Sequence, residues 1–97
     1  MEKVLLSWIN NNDEKLKKLG IKIDELLNDD EKYLEPCTRV DLLSEKKISR
    51  ITVFHSGRTY MEILDIETTK TEFIFDELLN SREQIENFLS ENIQKVV

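Results

Sequence analysis

These 97 residues contain few of the side chains that staple or punctuate a chain: one cysteine, one proline, one histidine and two glycines. A single cysteine, Cys37, excludes an intramolecular disulfide and gives no argument for an oxidising compartment. Two glycines, Gly20 and Gly57, far apart in the chain, do not make a phosphate-cradling loop. The lone His55 sits beside Ser56 and Arg58 with no second ligand or base at a motif spacing, so it reads as a solvated loop side chain. No apolar run approaches the roughly 20 residues that span a bilayer. The opening MEKVLLSWINNNDEK has no separate basic segment or small-residue cleavage site. Cytoplasmic residence is therefore the expectation.

What is abundant is charge. Charged residues make up 35% of the chain, hydrophobic ones 39%, and the net charge is −6. At this length one domain is expected, burying roughly 60–70% of the unfolded surface around one core. The acidity is concentrated. Residues 24–35 hold Asp24, Glu25, Asp29, Asp30, Glu31 and Glu35 against Lys32 alone, and residues 62–77 hold Glu62, Asp65, Glu67, Glu72, Asp76 and Glu77 against Lys70 alone. Such stretches repel phosphate backbones and anionic headgroups, which argues against nucleic acid and membrane as partners. A protein with a basic surface fits better, although an acidic surface also serves plain solubility.

The hydrophobic period marks the elements. Val4, Leu5, Trp8, Ile9, Asn12 and Leu16 lie on one helical stripe, ended at Gly20, which predicts a helix over about 2–19 with Trp8 in the core. Ser81-Arg82-Glu83-Gln84 reads as a capping box, opening a second helix over about 81–95 with Ile85, Phe88, Leu89, Ile93 and Val96 inward. Between them the period falls to two. Strands are predicted around Val40–Leu42, Ile51–Val53, Met61–Ile63 and Phe73–Phe75, separated by connections too short for parallel crossovers. Residues 21–36 admit a strand or a helical turn. The favoured reading is a strand at 21–27, then an acidic loop to Pro36. The fold class expected is α+β: an antiparallel meander of four to five strands with the N- and C-terminal helices packed on one face.

The middle hairpin is the most informative segment. A three-residue loop with Gly57 in the left-handed region sets Phe54 opposite Arg58 and Arg50 opposite Glu62. Ile51, Val53, Met61 and Ile63 then share the helix-covered face. The reverse face shows Arg50, Thr52, Phe54, Tyr60, Glu62 and Leu64, either an interaction surface or a cross-strand stacking patch. Partner contacts are expected at Arg50, Phe54, Tyr60 and Glu62, and at Asp29, Asp30 and Glu31 in the acidic loop.

Chemistry has little support. Cys37 lacks a positioned base and reads as a small buried side chain. Asn28-Asp29-Asp30-Glu31 lacks the spacing of a calcium loop. Asp65 and Glu67 put two carboxylates on one strand face with no second pair. No catalytic, metal or cofactor residue is assigned.

Residues 51–68, ITVFHSGRTYMEILDIET, resemble the TriTu family of bacterial immunity proteins: a strand reading Ile-Thr-Val-aromatic, a Ser-Gly turn, then Glu62-Ile63-Leu64-Asp65-Ile66-Glu67-Thr68. Lys47-Ile48-Ser49-Arg50 and the flanking helices, the first with Trp8-Ile9, are similar too. The resemblance implies an antidote that binds a cognate ADP-ribosyltransferase toxin, one that modifies elongation factor Tu, and obstructs its NAD-using active site. It carries no functional residue across. The expectation is a non-enzymatic, stoichiometric toxin inhibitor. The alternative is an interaction or regulatory module of the host cell that uses the same sheet face, and an enzyme ranks third.

Overall fold

The β3–β4 hairpin pairs as its turn chemistry dictates. Arg50 lies opposite Glu62, Ile51 opposite Met61 and Val53 opposite Thr59. Here β3 is Lys47–Phe54 and β4 is Arg58–Asp65, elements of a computed structural model that describes residues 1–28 and 35–97. Gly57 adopts φ +98°, and any Cβ there would collide with the Leu79 carbonyl oxygen, so the three-residue loop requires glycine. The other strands extend the meander on both sides. β1 (Lys22–Asn28) and β2 (Cys37–Leu43) precede the hairpin and β5 (Thr71–Leu78) follows it, giving one antiparallel sheet in the order β1-β2-β3-β4-β5.

The alternation buries what it predicts. Ile51, Val53, Met61 and Ile63 are all 1% exposed or less, and Val40 and Leu42 of β2 join them on the same face. Two helices cover that face: α1 (Lys3–Asn11) and α3 (Arg82–Asn92), which contact each other. Trp8 is buried between them, its Nε1 donating to Ser90 Oγ at 3.1 Å. Phe88 of α3 packs on Phe75 of β5 with ring centroids 4.1 Å apart. Ser49 shares the core face, opposite Leu42 and Ile63, and its buried hydroxyl has no hydrogen-bond partner among the described residues.

The helix expected over 2–19 is two helices. α1 stops at Asn11 and α2 runs Asp13–Lys18, because Asn12 leaves the helical region at φ −115°, ψ 18°. Its side-chain Nδ2 donates to the Trp8 carbonyl at 2.8 Å, the local competition that makes asparagine a poor helix-interior residue. The second break matches its signal. Gly20 at φ +78° donates to the Lys17 carbonyl, Ile21 N–H reaches back to Leu16, and both apolar side chains are buried, which is a Schellman stop.

At the other end Ser81 caps α3, accepting from Gln84 N–H at 3.1 Å. The Gln84 side chain accepts from Asn80 N–H rather than from Ser81, one residue away from the reciprocal box. The expected helix to 95 becomes α3 followed by a 3₁₀ turn at Ile93–Val96. Residues 22–28 form the strand favoured for that region, and β1 carries a bulge between Ile23 and Glu25. As an edge strand beyond the helix cover it leaves Ile23 and Leu26 largely exposed. The acidic loop expected next falls mostly on residues 29–34, outside the described residues, as do the contacts assigned to Asp29, Asp30 and Glu31. The Asp65–Glu67 pair does not share a strand face. β4 ends at Asp65, whose carboxylate accepts from Thr68 N–H at 2.8 Å, while Glu67 lies in the turn.

Candidate functional site

Among the described residues no helix covers the other side of the sheet, and its side chains form cross-strand rows. One row runs Glu25, Asp41, Arg50, Glu62 and Ile74, the next Leu27, Arg39, Thr52, Tyr60 and Asp76, and a third Cys37, Phe54, Arg58 and Leu78. Four of the residues expected to meet a partner, Arg50, Phe54, Tyr60 and Glu62, therefore share one face. Together with Thr52, Arg58 and Asp76 they line a concavity of about 410 Å³. That is within the roughly 300–1,000 Å³ of ordinary ligand clefts, though this one is shallow and open.

The charges around it are paired in a definite pattern. Arg58 clamps Asp76 with two hydrogen bonds, Nε to Oδ1 and Nη2 to Oδ2, both 2.8 Å. These bonds raise the Arg58 pKa and hold Asp76 below the usual carboxylate range. Arg50 stands between two carboxylates, Asp41 on β2 and Glu62 on β4. It turns to Asp41, with Nε–Oδ1 at 2.8 Å and Nη2–Oδ2 at 3.1 Å. Asp41 is the more enclosed member of that pair, at 13% side-chain exposure against 47% for Arg50, and Arg39 Nε lies 4.0 Å from the same carboxylate. Glu62 instead accepts from the Tyr60 hydroxyl at 3.1 Å and, among the described residues, has no ion pair. Burial raises the Tyr60 pKa, and the Glu62 carboxylate raises it further, so the phenol stays a donor.

Two features of the surroundings were not legible beforehand. Asp76 and Asp41 belong to the site because of the β4–β5 and β2–β3 registers, for which the sequence carried no signal as sharp as the Ser-Gly turn. On the β5 side the concavity is flanked by Ile74 and Leu78, which are 60% and 58% exposed. Exposed large apolar side chains on the same face as paired arginines and aromatics are the composition of contact surfaces.

Neither His55 nor Cys37 lines the concavity. Cys37 is fully buried at the start of β2, opposite Phe54, as expected of a small buried side chain. His55 is exposed, yet its Nδ1 lies 3.0 Å from Glu2 Oε2, a contact the turn position alone did not announce. No helix among the described residues is long and apolar enough to cross a membrane.

A family model described as immunity protein TriTu matches residues 3–95, nearly the whole chain and every element of the fold up to the last turn. No curated protein matches the chain, and no solved structure does.

Proposed function

The chain belongs to the TriTu immunity proteins, and from that premise we propose that it neutralises an ADP-ribosyltransferase toxin by sitting over the NAD-using cleft with its uncovered sheet face. An immunity protein has a protein toxin as its partner. The transferase class of that toxin, the occlusion and the face that performs it are our reading.

The observation that supports it is the make-up of the uncovered face. Aromatic and arginine side chains dominate binding hot spots, and here Phe54, Tyr60, Arg50 and Arg58 surround one concavity instead of being scattered. Their ion pairs are already formed within the sheet, so little side-chain ordering remains to oppose association. The net charge of −6 suits a basic cleft, steering the encounter while the aromatic anchors hold the complex. Inhibition by occupancy needs no turnover, metal or cofactor from this chain, and it acts in the cytoplasm of the cell that makes it.

The test is a titration of the purified chain against the NAD turnover of the toxin encoded beside it. Turnover should fall linearly to zero at one equivalent, and Phe54→Ala or Tyr60→Ala should bend that line into a weak-binding curve. Full turnover by toxin that is demonstrably bound would rule out occlusion.

A further inference from the structure

Of the carboxylates on the uncovered face, Glu62 is set apart by what holds it. Asp41 and Asp76 are each clamped by two hydrogen bonds from an arginine, and Glu25 lies 3.5 Å from Arg39. Among the described residues Glu62 has only the neutral Tyr60 hydroxyl, although Arg50 stands directly across from it. The place where a cation would complete this row is therefore open, and it lies in the concavity, with Thr52 as the small residue between Arg50 and Phe54.

The geometry points to a socket for one basic side chain, lysine or arginine, projecting from the partner. This rests on the reading that the uncovered face is the contact surface, and it states what that surface selects. The incoming cation would meet the Glu62 carboxylate, while its methylene stem lies against Tyr60 and Phe54, which also supply aromatic faces for a guanidinium. An acidic side chain fits poorly. Both guanidiniums of the concavity already have a carboxylate partner that offsets their charge, and an anion would face Glu62 as a like charge. Glu62 thus discriminates by sign, and the aromatics supply contact area whatever the sign.

Two measurements test this. The first follows backbone amide resonances of the intact protein during titration with Nα-acetyl-arginine methylamide and, separately, with Nα-acetyl-glutamate methylamide. The arginine probe should shift resonances around Thr52, Tyr60 and Glu62 with weak, saturable binding on the order of millimolar, as suits a single exposed ion pair with a cation–π contact. The glutamate probe should leave them in place, and Glu62→Gln, which keeps the acceptor for Tyr60, should abolish the response. Equal responses to both probes, or a response that survives Glu62→Gln, overturns the socket.

The second measurement compares toxin affinity for Glu62→Gln and Phe54→Ala. Both variants weakened tenfold or more supports the socket and the face together. Phe54→Ala weakened with Glu62→Gln unchanged leaves the face as the interface and overturns the socket alone. Neither weakened overturns the face, and the socket with it.

Discussion

Glu2 Oε2 lies 3.0 Å from His55 Nδ1, which ties the start of α1 to the β3–β4 turn across 53 residues of sequence. The carboxyl is buried at 9% exposure. Burial pushes its pKa up, but hydrogen bonds from its own backbone N–H, the α-amino group and His55 outweigh that and bring it down from 4.5 to about 2. A carboxylate with a depressed native pKa stabilises the fold fully above its unfolded value and loses that contribution as the native form is protonated. Stability should therefore fall as pH drops from about 4.5 towards about 2, by up to about 3 kcal/mol from this group. Urea unfolding across that window checks it. Glu2→Gln should flatten the decline, and an unchanged slope would count against the assignment.

Ser49 predicts a gain. Its hydroxyl is buried opposite Leu42 and Ile63 without a hydrogen-bond partner among the described residues, a desolvation cost that no bond there offsets. Ser49→Ala should be neutral or stabilising by about 1 kcal/mol. The unfolding midpoint should rise with an unchanged denaturant slope. A clear loss of stability would mean that the hydroxyl has a partner in solution.

The two glycines should respond differently to alanine. Both have positive φ, so each substitution carries a left-handed backbone cost of about 1–2 kcal/mol. At Gly20 that is the whole cost, because a Cβ there meets nothing within 4 Å. At Gly57 the Leu79 carbonyl stands in the way and accompanies a turn bond, Leu79 N–H to the Gly57 carbonyl at 3.1 Å. Gly57→Ala should cost clearly more than Gly20→Ala in a thermal melt. Equal losses would show that the hairpin yields without strain.

Binding kinetics should separate steering from anchoring. Phe54→Ala and Tyr60→Ala should each speed dissociation from the toxin, at a cost on the order of 2 kcal/mol or more. Neutralising Asp29, Asp30 and Glu31 should chiefly slow association and flatten its salt dependence. Measurements at two ionic strengths test both. Aromatic variants that fold and bind like wild type would move the interface off the sheet face.

The parts of the site that could be read in advance depend on local rules. Once the Ser-Gly turn sets the β3–β4 register, Arg50, Phe54, Tyr60 and Glu62 must share the face opposite Ile51 and Met61, because side chains alternate and a one-residue slip would bury charge. What could not be read is which neighbour each charge chooses. Arg50 had an acid across each flanking strand. It turns to Asp41 while Tyr60 holds Glu62, a choice between two half-buried acids that a linear pattern does not encode.

The sequence by itself determined the terminal helices, the strands from β2 to β5, the two glycine stops, the serine cap and the inward set of apolar residues. Each of these is a short-range demand of backbone sterics or of hydrophobic period. The break at Asn12 is local as well, a side-chain bond to the Trp8 carbonyl four residues back that outweighed a continuous apolar stripe. The tertiary structure alone decided the Arg58–Asp76 clamp, the Glu2–His55 tie and the Tyr60 hydroxyl as the partner of Glu62. These are choices among several nearby partners, and their energies depend on burial and register that exist only once the sheet has assembled.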